Sequence, residues 1–383
     1  MTSGPGEVNT AGAQYIQRHV TAPVDLRPSP PALAPPLVRA AMFGASVVVI
    51  MAGLRAAAPI LTPLALAAFI AAVSLPALGW LRKRMPTGLA ILLIVLIDAA
   101  ILASFAWIVL ETALELRTAL PEYVQRGQQL ESAIRGRLLE WGVVLGPNYY
   151  AEFMRPEQAL DLLTKVALNA TSFLAIFFLL VLYLVFILAE SVSLPGKLRT
   201  VFGPASHHGE GLQGVAGVGA VLVQVERYLV LKTLISLATG VAVGVGAWLL
   251  GVDFALFWGF LAFVLNFVPN IGSVIAAIPA VLVALLQLGP GSAVALTAVF
   301  VGVNVTFGNL LEPILIGRHL RLSPIITLVS LVFWGWAWGI VGMFLAVPLT
   351  IAIRIVMENS SSLARFVPLL GTGEPVAERP GTA

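Results

Sequence analysis

Residues 254–287 form a stretch apolar enough to enter a bilayer, with a polar interruption in its middle. The interruption reads Asn266-Phe-Val-Pro-Asn-Ile-Gly272. The arm before it, residues 254–268, reaches only about 22 Å as a helix, whereas a bilayer core is about 30 Å thick. In lipid, irregular backbone survives only where protein or a water-filled cavity covers it. The stretch therefore predicts a broken or re-entrant helical hairpin inside a larger membrane protein.

The balance of apolar and charged residues supports this class. Of the 383 residues, 59% are hydrophobic and only 11% are charged, against about 25% charged in soluble domains. We predict an all-α, polytopic helical membrane protein. It has about eight transmembrane segments, including two broken or re-entrant helical hairpins, plus amphipathic surface helices. The net charge of +3 is explained by cytoplasmic Lys and Arg, so no nucleic-acid partner is expected.

The transmembrane domain is predicted to cover residues 37–357. The preceding residues 1–36 are rich in Pro, Gly, Thr and Ala, a composition that cannot form a packed core and predicts a disordered tail. Residues 358–383 are predicted to be a polar C-terminal tail.

The first apolar runs, residues 37–54 and 59–81, predict a helical hairpin joined by a short turn at Arg55. A third span is expected over residues 88–110. The following residues 111–165 contain 14 charged side chains and show apolar residues at helical spacing, which predicts an extracytoplasmic amphipathic helix. It is interpreted as a cap on the membrane surface, with a partner-binding or gating element as the alternative.

Further along the chain, spans are predicted at residues 166–188, 228–250 and 293–311. Residues 191–227 connect the first two of these and are expected to be cytoplasmic. Their second half, residues 211–227, has apolar residues on one face, which predicts an interfacial amphipathic helix.

The cations predict the orientation. With both termini in the cytoplasm, most Lys and Arg of the loops lie on the cytoplasmic side, in agreement with the positive-inside rule. Those cations are Arg39, Arg82, Lys83, Arg84, Lys197, Arg199, Arg318, Arg321, Arg354 and Arg365.

A second apolar unit, residues 323–357, repeats the first one. It contains Phe333-Trp-Gly335, which matches Phe257-Trp-Gly259 of the first unit. Paired interrupted segments that face opposite ways indicate a transporter binding site. The expected hinges of the two hairpins are Gly259, Gly335, Gly339, Gly342 and Pro348.

Polar residues within the apolar segments are costly and need a partner or a function. The amides of Asn266 and Asn270 flank Pro269 and have two interpretations: they satisfy the carbonyl group freed by proline, or they bind solute. The candidates for the transport path are Asn266, Pro269, Asn270, Gly272, Ser273, Asn304, Asn309, Glu312 and Pro313.

Two carboxylates are candidates for an ion or proton site. Glu312 shares an α-helical face with Asn309, although it could equally lie at the water interface. Asp98 lies within the third span and has no partner that the sequence identifies. Lys232 is expected at a solvated interface at the mouth of the fifth span.

Enzyme signatures are absent from the sequence. There is no phosphate-binding loop, so ATP-driven transport by this chain is not expected. With four His and no Cys, we expect no metal site and no cofactor.

Several blocks at fixed offsets stand out along the chain: Tyr228 to Gly240, Gly251-Val-Asp253, Trp258 to Pro279, Gly308-Asn309-Leu-Leu-Glu312-Pro313, Gly317-Arg318, Leu322-Ser-Pro324, Ser330 to Trp336 and Gly339 to Leu349. Through these blocks the chain resembles the autoinducer-2 exporter family of bacterial membrane transporters. The resemblance covers roughly residues 37–357 and is sharpest over 226–357.

The resemblance implies a multi-pass protein of the bacterial inner membrane that assembles as a homo-oligomer. It implies export of a small polar solute such as autoinducer-2, while some members resemble sodium/proton antiporters. The partners expected are therefore the lipid bilayer and a small polar solute or ions. A membrane scaffold without transport activity is the third alternative.

Overall fold

The structure is a computed structural model that describes residues 36–142, 170–202, 210–268, 271–316, 322–358 and 366–367. These residues are almost entirely helical, which confirms the predicted all-α class. Seven of the described helices are long and apolar enough to cross a membrane, and two shorter apolar helices cover Gly44–Ala56 and Ala255–Leu265. Helices satisfy their backbone polar groups internally, as lipid requires.

The described helices are α1 (Pro36–Ala56), α2 (Ala58–Leu81), α3 (Thr87–Glu140), α4 (Ala170–Phe202), α5 (Glu210–Leu249), α6 (Ala255–Leu265), α7 (Ile271–Leu288), α8 (Pro290–Val303), π1 (Asn304–Leu311), α9 (Glu312–Ile316) and α10 (Pro324–Glu358). The chain divides into two compact units, Met1–Ala52 and Gly53–Ala383. Of the first unit, the structure describes only the beginning of α1. The predicted tails lie almost wholly outside the described residues.

The expected turn at Arg55 is reduced to one residue. Ala57 alone separates α1 from α2, and it keeps right-handed helical dihedral angles (φ −81°, ψ 0°). Its N–H still donates to the carbonyl group of Gly53. Alanine-rich backbone favours helix over turn, which explains why this segment does not open into a loop.

Helix α3 joins two elements that the sequence pattern separates. The predicted third span and the amphipathic segment after it form one helix of 54 residues, which is about 81 Å long. Because this exceeds the bilayer core of about 30 Å, the charged half extends beyond the apolar layer as a continuation of the span. Residues 143–165 of the predicted cap lie outside the described residues.

Helix α5 also continues where a boundary was predicted. The proposed interfacial helix and the fifth span form one helix, Glu210–Leu249. Similarly, α4 passes Glu190 and ends only at Phe202. Charged residues mark where a helix leaves lipid, but they do not end it, because Lys, Arg and Glu are good helix formers.

The first hairpin, residues 255–288, consists of α6 and α7. Helix α6 ends at Leu265, and the chain is non-helical at residues 266–268. Gly272 then lies against the first arm so closely that a Cβ there would overlap the carbonyl oxygen of Leu265. At the open end, the N–H of Asp253 donates to the side chain of Gln287 at 2.8 Å. The predicted break within this stretch is therefore confirmed.

The second hairpin is α10, residues 324–358. Its arms meet at Gly339, whose dihedral angles (φ 66°, ψ −146°) interrupt the helix in a region that is essentially restricted to glycine. Across the arms, the Ser330 hydroxyl donates to the carbonyl group of Ala346 at 2.9 Å. Gly342 packs so closely that a Cβ there would overlap the carbonyl oxygen of Trp334.

The two hairpins contact each other near the tip of the first. Val268 belongs to a buried cluster with Leu331, Trp334 and Ala346 of the second hairpin. Helix α7 packs through an alanine face, Ala276, Ala280 and Ala284, into a second cluster with α5, α6 and α8. Small residues let apolar helices approach closely, which is the usual basis of packing in membranes.

Candidate functional site

A polar face on α5 runs through the apolar bundle. Lys232 and Ser236 lie four residues apart, so they project from successive turns about 6 Å apart along the axis. Lys232 is 3% exposed and Ser236 is fully buried. Both side chains have partners on other elements, and both partners belong to the set of predicted site residues.

Lys232 forms an ion pair with Glu312. Its Nζ donates to Oε2 of Glu312 at 2.8 Å, across 80 residues of sequence. The Glu312 side chain is 28% exposed, so only one end of the pair contacts the surface. The expectation that Lys232 lies at a solvated interface is wrong, because α9 places a carboxylate against α5 and compensates its charge. A cation without that partner would be too costly to bury.

Ser236 binds the predicted amide at the first hairpin tip. The Asn266 side-chain amide donates to the Ser236 hydroxyl oxygen at 2.9 Å. Asn266 comes directly after α6, where the backbone leaves the helix. The amide is therefore used to link the hairpin tip to α5. Pro269 and Asn270 of the same polar interruption lie outside the described residues.

Three phenyl rings pack where the two hairpins and α2 meet. The ring of Phe267 lies 4.5 Å from that of Phe344 and 5.4 Å from that of Phe69, measured between centroids. Phe69 and Phe344 are 5.2 Å apart. Phe267 is 1% exposed and directly follows Asn266. Because Asn266 and Phe267 are adjacent in the chain, the phenyl cluster and the bond between Asn266 and Ser236 both belong to the tip of the first hairpin.

The predicted residues Ser273 and Asn304 line a different feature. They lie in a mostly apolar groove of about 420 Å³ between α7 and α8. Asn304 begins π1, in which the hydrogen bonds run from i to i+5. Because this spacing departs from an α-helix, the predicted shared face of Asn309 and Glu312 is not formed: Asn309 is exposed, whereas Glu312 and the adjacent Pro313 are half-buried.

Asp98 has a partner that the sequence did not identify. It is 7% exposed, and the hydroxyl group of Ser74 on α2 lies 3.0 Å from both of its carboxylate oxygens. Asp98 is thus separate from the contacts around Lys232. The two carboxylates proposed for an ion site occur in different environments, since one is paired with a cation and the other with a hydroxyl group.

Only one of the predicted hinge residues forms a break. Gly339 interrupts α10, but Gly259 lies inside α6, where a Cβ would meet the carbonyl oxygen of Gly240 on α5 at 2.8 Å. Gly335 packs against Met343 of the opposite arm. Gly342 and Pro348 are buried within the second arm. The repeated Phe-Trp-Gly therefore does not mark equivalent positions, since one glycine contacts a neighbouring helix and the other contacts its own hairpin.

A polar network outside the predicted site holds the open end of the first hairpin. The Tyr123 hydroxyl on α3 donates to Asp253 at 2.6 Å, and Arg126 donates to the carbonyl group of Gln287. The Gln287 amide in turn donates to Asp253 at 2.8 Å and to the carbonyl group of Gly251 at 3.0 Å. The long helix α3 is thereby attached to the first hairpin.

Sequence reasoning missed Lys232, Ser236, Ser74 and the phenyl cluster. One signal was available: Lys232 and Ser236 are polar residues at i and i+4 in an otherwise apolar run, a spacing that places both on one helix face. The phenyl cluster carried no such signal, because Phe is common throughout this chain. Its members come from three separate elements.

Comparison with known proteins identifies the family. A model of the AI-2E family transporter matches residues 45–362. The AI-2 transport protein TqsA of Escherichia coli K12 is 38% identical over 317 residues, covering 82% of this chain and 90% of TqsA.

Two further relatives cover similar lengths. The protein YhhT of E. coli K12, named as a candidate transport protein, is 36% identical over 338 residues, 88% of this chain and 95% of YhhT. A similarly named protein of Haemophilus influenzae is 34% identical over 333 residues, 86% of this chain and 95% of that protein. With its apolar helices and broken hairpins, the chain belongs to the AI-2E family of membrane transporters.

Proposed function

We propose that this protein exports a small polar solute such as autoinducer-2 along a path bounded by the tips of its two hairpins. The observation that carries the proposal is the bond between Asn266 and Ser236 beside the phenyl cluster. It brings a polar pair, a helix break and a packed apolar cluster together at the tip of the first hairpin.

The polar pair supports solute binding by its chemistry. An amide has two donors and an acceptor, and one donor of Asn266 is used by Ser236. The remaining groups match the hydroxyl and carbonyl groups of a small polar solute. In this proposal the solute replaces or joins the bond between Asn266 and Ser236, and no covalent chemistry is required.

The phenyl cluster supports a closed conformation. Phe267 is 1% exposed, and the ring contacts at 4.5–5.4 Å leave no room for a solute between the hairpins and α2. Solute passage therefore requires Phe267 and Phe344 to separate, which links opening of the path to movement of one hairpin tip relative to the other. Alternating access of this kind is common among transporters with paired broken helices.

The relatives support transport, and one of them supports the solute. TqsA is named as an AI-2 transport protein and aligns with most of this chain. We further propose a location in the bacterial inner membrane with both termini in the cytoplasm, as the distribution of cations predicts, and assembly as a homo-oligomer. Pro269, Asn270, Gly272 and Pro313 remain part of the proposed path as neighbours of Asn266 and Glu312.

The ion pair bears on the antiporter alternative. A carboxylate that exchanges protons for cations must be able to lose its counterion, but Glu312 is held at 2.8 Å by a buried lysine. We therefore assign Glu312 to holding α9 against α5. Of the two carboxylates, Asp98 is therefore the candidate for ion coupling.

The test is movement of labelled autoinducer-2 across proteoliposome membranes. We expect wild type to transport it and Asn266→Leu to lose at least about tenfold in rate, the effect of losing about 1.4 kcal/mol of solute stabilisation. The control is Gln128→Leu, which makes the same amide-to-leucine change at an exposed position of α3.

Two outcomes would contradict the proposal. Wild-type vesicles that move no labelled solute beyond the level of empty vesicles would reject autoinducer-2 as the cargo. Equal rates in Asn266→Leu and Gln128→Leu would reject the role of Asn266.

A further inference from the structure

The carboxyl group of Asp98 is buried without a cation. It lies in the apolar part of α3, is 7% exposed, and has the Ser74 hydroxyl as its hydrogen-bond donor. Within the described residues, no Lys or Arg forms an ion pair with it. An ionised carboxylate inside a membrane protein requires a counter-charge or several donors, and one hydroxyl group does not supply them.

The helices packed against α3 contribute few charged side chains. Helices α2, α6 and α7 contact α3 and contain no titratable side chain. Helix α4 also contacts α3, and its titratable residues are Tyr183, Glu190, Lys197 and Arg199. Of these, Glu190 and Lys197 pair with each other at 2.7 Å and are more than half exposed. On α3 itself, the next charged residue is Glu111.

We propose that Asp98 and Ser74 form a proton-binding site in the transmembrane bundle, with the proton carried on the Asp98 carboxyl group. A protonated Asp98 carboxyl group is neutral, so it can be buried beside Ser74 without a counter-charge. The same two side chains fit a sodium ion poorly, because a hard cation of that kind requires more oxygen ligands than one carboxylate and one hydroxyl group provide.

The groove nearest in sequence to the site lies on the other side of α2. Pro76 is two residues after Ser74 and lines a groove of about 380 Å³ together with Glu226 and Arg227 of α5. Residues two apart project from nearly opposite sides of a helix, so Ser74 does not face this groove and proton exchange with it requires α2 to move. Proline lacks the N–H that would hold the preceding turn, so α2 is easier to deform there.

The site completes the proposed transport cycle if Asp98 reaches the groove in one conformation and is sealed in the other. That coupling rests on the proposed function, whereas the existence of a protonated Asp98 does not. A carrier that moves one proton per solute changes its accumulation ratio about tenfold for each pH unit of gradient.

The first experiment tests the proton site without transport. Dicyclohexylcarbodiimide reacts with protonated carboxyl groups in apolar surroundings, so labelled peptides are read by mass spectrometry. We expect an adduct on Asp98 in the wild-type protein at neutral pH, a decrease as pH rises, and no protection by sodium chloride relative to choline chloride. Ser74→Ala removes the donor to the ionised carboxylate, so the adduct should persist to higher pH. Ser74→Thr, which keeps the hydroxyl group, should restore the wild-type pH dependence.

Infrared spectroscopy provides the second readout, because a protonated carboxyl group in a dry site has a distinct carbonyl stretching band. The band is expected in wild type and absent in Asp98→Asn, with Glu111→Gln as the exposed control on the same helix. Absence of both the band and the adduct in folded wild type overturns the site. If sodium chloride protects Asp98 from labelling, the site binds sodium and the proposal of a proton site is overturned.

The third experiment separates the site from the proposed function. In proteoliposomes with a pH gradient, Asp98→Asn should lose the gradient response of solute movement while exchange without a gradient continues. If Asp98 forms an adduct in a protein that moves no autoinducer-2, the proposed cargo is rejected and the proton-binding site is supported. Gradient-driven transport that is equal in Asp98→Asn and wild type rejects the coupling.

Discussion

The first hairpin has polar contacts with α5 at its tip and with α3 at its open end, whereas the polar contacts of the second near Ser330 join its own two arms. Asn266 binds Ser236 of α5, and Asp253, next to the first arm, binds Tyr123 of α3. In the second hairpin, Ser330 binds the carbonyl group of Ala346 and lies 2.5 Å from the Thr350 hydroxyl. The first hairpin is therefore coupled to the bundle at both ends. The second is bonded between its arms and is also attached to α1, where the Trp338 indole N–H donates to the carbonyl group of Leu54 at 3.2 Å.

The tips of the two hairpins nevertheless share one packing feature. In each, a glycine at the start of the second arm lies directly against a carbonyl oxygen of the first arm, Gly272 against Leu265 and Gly342 against Trp334. A side chain at either position would force the arms apart. The tips thus share their geometry, while the contacts that hold each hairpin in place differ.

This difference indicates which parts can move. Movement of the first hairpin tip must exchange hydrogen bonds with α5, because the Asn266 amide is used there. The second hairpin can shift with the bonds between its arms intact, although movement relative to α1 breaks the bond between Trp338 and Leu54. In the transport proposal, the second hairpin is accordingly the more rigid side of the path.

The largest expected effect tests the close packing of glycine that the two hairpin tips share. Gly272→Ala and Gly342→Ala should each destabilise the protein by more than the about 1–3 kcal/mol typical of overpacking, because the clash is with backbone. Size-exclusion profiles and thermal midpoints in detergent measure the loss of folded protein. Gly79→Ala and Gly302→Ala are controls with open space around the new Cβ. Normal folding of either tip variant would show that the arms separate easily.

The next effect tests the helix to which the first hairpin is bonded. Lys232→Met should cost about 3–5 kcal/mol, because Glu312 then keeps an uncompensated charge against α5. The double variant Lys232→Met/Glu312→Gln should recover most of this loss in thermal unfolding. Lys83→Met, at an exposed position, is the control. A double variant no more stable than Lys232→Met alone would mean that the pair does not account for the loss.

The smallest effects distinguish the two modes of attachment. Ser330→Ala should cost about 1–3 kcal/mol and Tyr123→Phe about 1 kcal/mol, since each removes a hydrogen bond and the first leaves buried partners unpaired. Hydrogen exchange measured by mass spectrometry should rise over residues 324–358 in Ser330→Ala. In Tyr123→Phe it should rise near residues 251–253 and 287. Exchange that spreads over both hairpins in either variant would contradict their separate bonding.

Much of the fold followed from composition and local pattern. The apolar runs predicted the helices, and the polar interruption that begins at Asn266 predicted the break in the first hairpin. Helix boundaries were less predictable: the sequence suggested ends near Leu110 and Arg227, yet α3 and α5 pass through both. A change from apolar to charged residues marks a change of solvent, and a helix continues across it unless a breaker intervenes.

The candidate site was predicted in part. Asn266, Glu312 and Asp98 were selected because polar groups in lipid need a partner, and each has one in the structure. The shared face predicted for Asn309 and Glu312 is absent because π1 changes the helical period. Gly259 lies at a helix contact and Gly339 at a break, and glycines in these two situations look alike in sequence.

By itself, the sequence determined the class of protein, its helical segments and the two interruptions, because hydrophobicity and the needs of the backbone act locally along the chain. Only the tertiary structure decided which polar groups meet. Lys232 and Glu312 are separated by 80 positions, and Phe69, Phe267 and Phe344 come from three elements. Such contacts depend on how helices pack, and packing is set by the shapes of many side chains together.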